Sequence, residues 1–341
     1  MKKNRLFGGF FAAAVLAVFL LACSNPAGPG GNRNTGDYQA GGGDCDNPSS
    51  SVYMYAAGRS GDDAVVWRNG EVLHNFGPGT VNYILMHDGV LYAAGTNGTN
   101  GIVWRSGEVL LDLGQHGDGN NAFARVLFER GGAVYVAGRL GNNGTIWRID
   151  GTVASTIFTG HSISSVFVSG DDVFAAGQGN GVFPSARVWR NSVMLHNWNP
   201  VINSGVARSI VVSNDVVYTA GRLWDSASNT ARVWRNGEEL YNMGPGVAHS
   251  IFLHNGFVYT AGHRGTNVNH GIATIWRDGV IAYTMEGTGT INSLIAHNGF
   301  VYAAGHSGTT ANNGVATIWQ DGSIYRDFGP GTVNSLLIVE R

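Results

Sequence analysis

A unit of about forty residues recurs along most of this chain, and the repetition limits the fold more than any other feature. Each copy contains an aromatic-x-Ala-Gly segment followed, further on, by a tryptophan ahead of a turn. The tryptophans are Trp67, Trp104, Trp147, Trp189, Trp234, Trp276 and Trp319, spaced by 37, 43, 42, 45, 42 and 43 residues. A fixed period of this length is typical of architectures whose units cannot bury their hydrophobic faces alone. The copies must therefore pack on one another.

The aromatic-x-Ala-Gly landmark follows the same period. It occurs at Tyr92–Gly95, Tyr135–Gly138, Phe174–Gly177, Tyr218–Gly221, Tyr259–Gly262 and Tyr302–Gly305. In the first copy, Tyr55-Ala56-Ala57-Gly58 aligns only loosely with the others, and we expect Tyr53 to take the aromatic position.

The sixth copy shows how one unit is built. The apolar segments Ser250–His254 and Phe257–Ala261 flank an Asn-Gly pair. After a loop, Ala273–Arg277 and Val280–Met285 flank an Asp-Gly pair. Both dipeptides favour the positive φ angles that two-residue hairpins require. Because no helical period of 3.6 residues appears after the N-terminal segment, we predict four short antiparallel strands per unit.

The two ends of the repeat region complement each other. The first copy begins at its second strand, Val52–Ala57, with no apolar strand before it. After the seventh copy, Val333–Val339 repeats the opening of that copy, Ile291–Ile295. Pairing the spare strand with the first copy closes a ring and protects the terminal sheet edges. The sequence therefore predicts an all-β fold, a seven-bladed β-propeller of four-stranded antiparallel blades whose C-terminal strand completes the first blade.

The repeat resembles those of bacterial β-propeller lipoproteins with Val-Tyr-x-Ala-Gly and Trp-(Arg/Lys)-(Asn/Asp)-Gly units. The resemblance covers Val52–Arg341 and implies a fold, with little about function. The Trp-Arg pair stands where a WD40 blade has Trp-Asp, but the other WD40 signature residues are missing. Asn143–Trp147 also lacks the aspartate of a sialidase-type Asp box.

The N-terminus has the pattern of an export signal. Three basic residues precede the apolar, uncharged segment Leu6–Ala22, and Leu20-Leu21-Ala22-Cys23 resembles the lipobox of bacterial lipoprotein precursors. The resemblance implies a signal peptide over residues 1–22 and acyl chains on Cys23, which would anchor the protein to the cell envelope, at the outer membrane or cell surface. Leu21 departs from the small residue usual there. An uncleaved membrane helix is the alternative, since an apolar stretch of about 17 residues is at the short limit for spanning.

Residues 23–51 are predicted to be a lipidated, flexible tether to a propeller over residues 52–341. Ser24–Ser51 is rich in Gly, Asn, Asp, Ser and Pro, and its 28 residues span about 30 Å. Cys45 is the only other cysteine, so the fold depends on its core rather than on disulfides. Without Lys2, Lys3 and Arg5 the chain carries 18 basic and 23 acidic residues, a charge of −5 that predicts no nucleic-acid partner. We expect a monomer.

One face of the propeller should carry the longer loops. Between the landmark glycine and the next tryptophan lie eight residues in the first three copies, and 11, 12, 13 and 13 in the last four. Variable loops on a rigid scaffold are where binding is usually found.

Aligned copies place a ring of residues at the start of the first strands of this face: Asn82, Arg125, Ser164, Arg208, His249, Asn292 and Asn334. Two interpretations are open, hydrogen bonding between linkers and recognition of a polar or anionic ligand. Arg59, Arg139 and Arg222, each directly after an Ala-Gly pair, are further donors.

Other candidates lie in the loops of the later copies. Trp224 belongs to no repeat position, and with Phe183 it either stacks on a ligand or folds onto its own loop. His249, His263, His270 and His306 fall on the last two blades, but their spacing alone predicts no metal site. No carboxylate pair or nucleophile triad recurs, so no catalytic residue and no cofactor is predicted. We expect a non-enzymatic scaffold for a protein or carbohydrate ligand, with a glycan-binding or glycan-active enzyme as the alternative.

Overall fold

The computed structural model describes residues 52–114, 122–150, 153–158, 161–179, 184–198, 204–224, 228–266, 270–310 and 313–340. All regular elements in this part of the chain are β-strands, and Val52–Arg341 forms one compact unit. The predicted signal peptide and tether, with Cys23 and Cys45, lie outside the described residues. Within them, no helix has the length and apolar character needed to cross a membrane.

Three sheets contain four strands each, in chain order and antiparallel. The first is β4 Thr80–His87, β5 Val90–Thr96, β6 Gly101–Arg105 and β7 Glu108–Asp112. The second is β8 Ala122–Arg130, β9 Ala133–Leu140, β10 Asn143–Arg148 and β11 Val153–Phe158. The third is β12 His161–Ser169, β13 Asp172–Gly179, β14 Ala186–Arg190 and β15 Val193–Trp198.

Two further sheets contain seven strands each. One consists of β16 Gly205–Ser213, β17 Val216–Trp224, β18 Asn229–Arg235, β19 Glu238–His254, β20 Phe257–Arg264, β21 Ile272–Arg277 and β22 Val280–Thr284. The other joins β23 Gly289–His297, β24 Phe300–Ser307, β25 Val315–Gln320 and β26 Ser323–Glu340 to β1 Val52–Ser60, β2 Asp63–Arg68 and β3 Glu71–Pro78. Strands from the two ends of the chain therefore share a sheet.

The long strands β19 and β26 differ from the predicted pattern of short separate strands. The first half of β19 pairs with β18 and its second half, from Gly246, with β20. In the same way β26 pairs first with β25 and then, from Gly331, with β1. Each change of partner falls at a Gly-Pro-Gly linker, where Gly246 and Gly331 have φ of 147° and 142°. Glycine tolerates such angles, so the chain passes from one unit to the next without a loop.

The terminal strands pair over their whole length. β1 is antiparallel to β26, from Val52 opposite Glu340 to Ser60 opposite Gly331. The register also corrects one alignment: Tyr55 lies opposite Arg68 in the first copy as Tyr92 lies opposite Arg105 in the second. The expectation that Tyr53 takes the aromatic position was therefore wrong, because the landmark glycine sets the register and Tyr55 stands three residues before Gly58 as in every other copy.

The Asn-Gly and Asp-Gly turns form as their composition predicts. Asn236 and Asp278 have φ of 49° and 50° in the turns between third and fourth strands. Their side-chain oxygens accept hydrogen bonds of 2.9 Å from the backbone N–H of Val217 and Val258, at the start of each second strand. The turn residue thus fixes two hairpins of one unit to each other.

The core lies between neighbouring copies of the repeat, including copies that share a seven-stranded sheet. All seven repeat tryptophans are buried, and Trp234 and Trp276 are each 1% exposed. Phe76 on β3 stacks on Trp104 of the next sheet, and Trp198 on β15 stacks on Trp234, both at 4.4 Å between ring centroids. These contacts confirm that the copies pack on one another, with the tryptophans between them.

Candidate functional site

The first strand of each unit carries a β-bulge beside the landmark glycine. In β4 the register passes from Val81 opposite Gly95 to Tyr83 opposite Ala94, which leaves Asn82 without a partner in the ladder. A bulge redirects the side chain of its extra residue. The same shift occurs in all seven copies, and we call the extra residues the bulge residues: Asn82, Arg125, Ser164, Arg208, His249, Asn292 and Asn334.

The bulge explains why the landmark ends in glycine. At Gly262 a Cβ atom would lie 2.0 Å from the carbonyl oxygen of Val247, and at Gly305 it would lie 1.8 Å from that of Thr290. Both oxygens belong to first-strand residues two positions before a bulge residue. Equivalent contacts of 1.8–2.0 Å occur at Gly58, Gly95, Gly138, Gly177 and Gly221. Glycine is therefore required wherever the bulged backbone approaches the second strand.

All seven bulge residues line one cavity of about 420 Å³. The sequence predicted that they form a ring on one face, and the structure brings all seven together around this cavity. Their role as ligand contacts stays a prediction.

The asparagines among the bulge residues connect neighbouring first strands. The Nδ2 of Asn82 donates to the Ala124 carbonyl at 2.8 Å, and that of Asn334 donates to the Val81 carbonyl at 2.9 Å. Asn292 makes the equivalent bond to Val333 at 3.1 Å. These residues fit the structural interpretation of the ring, whereas Arg125, Arg208 and His249 lack such bonds to neighbouring strands in the described part of the chain.

A second cavity, also about 420 Å³, adjoins the first on the side of the long loops. The two cavities share Arg208, His249, Asn292 and Asn334. The second cavity adds Arg222, His263 and His306, which each directly follow a landmark glycine, together with Val247, Thr290, Thr309, Thr310 and Thr332. Sequence reasoning noted these cations and histidines separately but missed that they share one repeat position. The signal for the cation and the histidines was available in the sequence, as the single residue after each landmark glycine. The threonines were also missed, and they do not occupy that position.

Both cavities are positively charged. No aspartate or glutamate is among the described residues that line them. Burial, and then the neighbouring Arg222 and Arg125, lower the pKa of Arg208 to about 10, so Arg208 remains a guanidinium at pH 7. Burial also lowers the pKa of Arg125, with Arg139 as a second cause. Arg125 nonetheless keeps much of its surface accessible to solvent in the cavity.

Three histidines lie beside these arginines, and all are neutral at pH 7. Burial, followed by Arg208, holds the pKa of His249 well below its ordinary value and lowers that of His263 to about 4. Burial also lowers the pKa of His306. The rings of His249 and His263 are 5.4 Å apart, and His263 Nδ1 lies 3.3 Å from the Thr290 hydroxyl.

The remaining candidates lie elsewhere or outside the described residues. His270 is exposed and lines neither cavity. In the described ranges, no three His, Cys, Asp or Glu side chains are placed to hold a metal ion. Trp224 ends β17, two residues beyond Arg222, and is 41% exposed. Phe183 lies outside the described residues, so its expected proximity to Trp224 is untested.

No family model and no curated protein matches the chain. Among solved structures, it is similar to the WD40 β-propeller domain of Doa1, at 15% identity and a TM-score of 0.53, over 83% of this chain and 89% of that one. It is also similar to a candidate 6-phosphogluconolactonase from Bacteroides fragilis, at 15% identity and a TM-score of 0.51, over 87% of this chain and 100% of that one. At sequence identities this low, the similarity shows only a shared fold. The chain is thus an all-β repeat protein with a β-propeller fold like that of WD40 domains.

Proposed function

We propose that the protein is an envelope-anchored lipoprotein whose propeller is a non-enzymatic binding scaffold. The binding surface is the face that carries the long loops and the mouth of the two cavities. The observation that supports this most directly is the convergence of seven bulge residues on one cavity. Those residues come from every copy of the repeat, yet they differ in type, as residues selected for contacts would.

The proposed scaffold is a closed ring of seven blades. The first strands contact one another in the order β4, β8, β12, β16, β19, β23 and β26, and β26 contacts β4 again. Phe328 of the last copy packs on Trp67 of the first at 4.7 Å, as Phe76 packs on Trp104. A buried cluster joins Tyr302 and Ile318 of the last copy to Trp67. The last and first copies thus meet as consecutive copies do, which favours closure over an open array.

The cavity chemistry favours binding over catalysis. A glycan-active enzyme needs paired carboxylates for general acid and base roles, and the described lining residues of both cavities include none. A name such as 6-phosphogluconolactonase belongs to the similar structures and transfers no activity at 15% identity. Carbohydrate stays a candidate ligand beside protein, since Trp224 is exposed and an exposed indole stacks on sugar rings.

Binding on the loop face predicts that Trp224→Ala weakens it. Truncating an aromatic anchor that is desolvated on binding costs about 1–2 kcal/mol or more, so we expect affinity to fall about tenfold. Ligands would be identified with a glycan array and with pull-downs from envelope fractions, using the full-length protein. Phe300→Ala is the matched control, because Phe300 is 45% exposed and begins β24 at the opposite face. Loss of binding in Phe300→Ala with full binding in Trp224→Ala would place the ligand on the other face.

Lipid anchoring predicts that Cys23→Ser abolishes acylation and leaves the propeller intact. The tether separates the anchor from Val52, where the compact unit begins, so the melting temperature should stay unchanged. Metabolic labelling with a fatty acid and membrane fractionation measure acylation and anchoring, and a thermal scan measures the melting temperature. Cys45→Ser is the control and should keep its label; label that persists in Cys23→Ser would contradict the anchor assignment.

A further inference from the structure

Among the described residues, the arginines that line the two cavities have no carboxylate partner, and Arg208 and Arg222 are half-buried. No ion pair between described residues involves Arg208, Arg222 or Arg125. The Nη1 of Arg222 donates to the side-chain oxygen of Asn229, which is a neutral amide. Buried charges in proteins are normally paired or bound to an ion. The two cavities therefore contain positive charge that the described part of the protein does not neutralise.

Several side-chain nitrogens around the second cavity are also unsatisfied. Among the described residues, the buried Nε atoms of Arg208 and Arg222 have no hydrogen-bond partner, and the same holds for His249 Nε2 and His306 Nδ1. All four side chains line the second cavity. Polar groups left without partners beside a cavity favour a ligand that supplies them, and the two arginine Nε–H groups require acceptors.

The number and charge of these groups indicate the class of ligand. Arg208 and Arg222 contribute two permanent positive charges, and guanidinium groups bind phosphate oxygens with parallel N–H donors. A neutral imidazole holds its one proton on either nitrogen, so His249 and His306 can each donate to an anion. The threonine hydroxyls at positions 290, 309 and 310 add further donors around the same space. A cavity of about 420 Å³ accommodates a small molecule rather than a chain segment.

We propose that the mouth of the propeller channel binds a compact oxyanion of charge −2, a phosphate group that is free or terminal on a small molecule. Arg208 and Arg222 provide the charge, and His249 and His306 provide neutral donors. This inference rests on the proposed binding function and names its ligand chemistry.

The test is titration of the full-length protein, purified in detergent, with inorganic phosphate and separately with glycerol 3-phosphate. Chloride keeps the ionic strength constant, because exposed cations attract any anion at low salt. A ligand that binds only the folded state raises its melting temperature with concentration. We expect phosphate to do so, and a tighter response to the ester would assign the site to a phosphorylated small molecule rather than the free ion.

The key variants are Arg208→Gln and the matched control Arg264→Gln. Arg264 ends β20 on the same face, is exposed and lines neither cavity. We expect Arg208→Gln to weaken phosphate binding at least tenfold and Arg264→Gln to change it less than twofold. Without ligand, Arg208→Gln should melt no lower than the wild type, since it removes an uncompensated buried charge. Arg222→Gln provides a second, independent loss of binding should Arg208→Gln fold poorly.

Two results would overturn the assignment. Absence of any phosphate-dependent stabilisation in the wild type would refute an oxyanion site, while Trp224-dependent binding of another ligand would leave the scaffold function standing. Equal phosphate binding in wild type, Arg208→Gln and Arg222→Gln would show that phosphate binds elsewhere.

Discussion

Deletion of Val333–Arg341 is expected to abolish cooperative folding. The segment supplies the partners of β1 from Val52 to Gly58, so its loss leaves buried backbone groups of β1 without hydrogen bonds. It also removes Val333 and Leu336, which are 0% and 6% exposed. Several lost hydrogen bonds and two buried apolar side chains together exceed the 5–15 kcal/mol by which a typical domain is stable. Circular dichroism during a thermal scan should show no sigmoidal transition.

A circular permutant separates lost pairing from lost residues. In it, residues 331–340 are placed before Val52 through an Asn-Gly turn, and the chain ends at Pro330. β26 and β1 are antiparallel with Val52 opposite Glu340, just as His297 lies opposite Phe300 across the Asn298-Gly299 turn. The permutant should therefore fold as the wild type does. A truncated protein with an unchanged melting temperature would contradict ring closure by this strand.

Acidification is expected to destabilise the protein through His263. This side chain is 4% exposed, and burial together with the charges of Arg208, His306 and Arg222 lowers its pKa from 6.5 to about 4. Between those values the unfolded chain binds a proton that the folded protein rejects, so stability is complete above pH 6.5 and falls as the pH falls towards 4. At 1.36 kcal/mol per pKa unit, the loss attributable to His263 is about 3 kcal/mol.

The comparison that isolates this effect is wild type against His263→Gln. Free energies of unfolding in urea would be measured for both proteins at pH 7 and pH 4, and carboxylates titrate equally in both. The wild type should lose about 3 kcal/mol more than His263→Gln over this range. His270→Gln, at an exposed histidine, should follow the wild-type curve. Equal losses of unfolding free energy in wild type and His263→Gln would show that folding does not lower the pKa of His263.

The sequence alone predicted the features that depend on neighbouring residues. Asn-Gly and Asp-Gly pairs encode hairpins because of their positive φ, and the period of the tryptophans encodes repeated packing between units. The bulge residues could be found by alignment, since in each copy after the first the extra residue lies at a fixed distance before the landmark glycine, and Asn334 occupies the matching position in the C-terminal strand. The alignment of Tyr53 failed because the first copy has two tyrosines, Tyr53 and Tyr55, before Gly58, and the strand pairing assigns the aromatic position to Tyr55.

Only the tertiary structure decided what those residues face. Arg208, Arg222, His263 and His306 are spread over about a hundred residues of chain, and they line one cavity because of how consecutive copies of the repeat pack on one another. Whether a polar residue bonds to a neighbouring strand, as Asn82 does, or faces the cavity with an unsatisfied donor, as Arg208 does, depends on side-chain reach. The absence of aspartate and glutamate from the described lining residues of both cavities is likewise a property of the tertiary structure, because the sequence contains 23 acidic residues and does not show where they lie. The arginines carry the positive charge, and the packing of the copies brings them together and limits their contact with solvent.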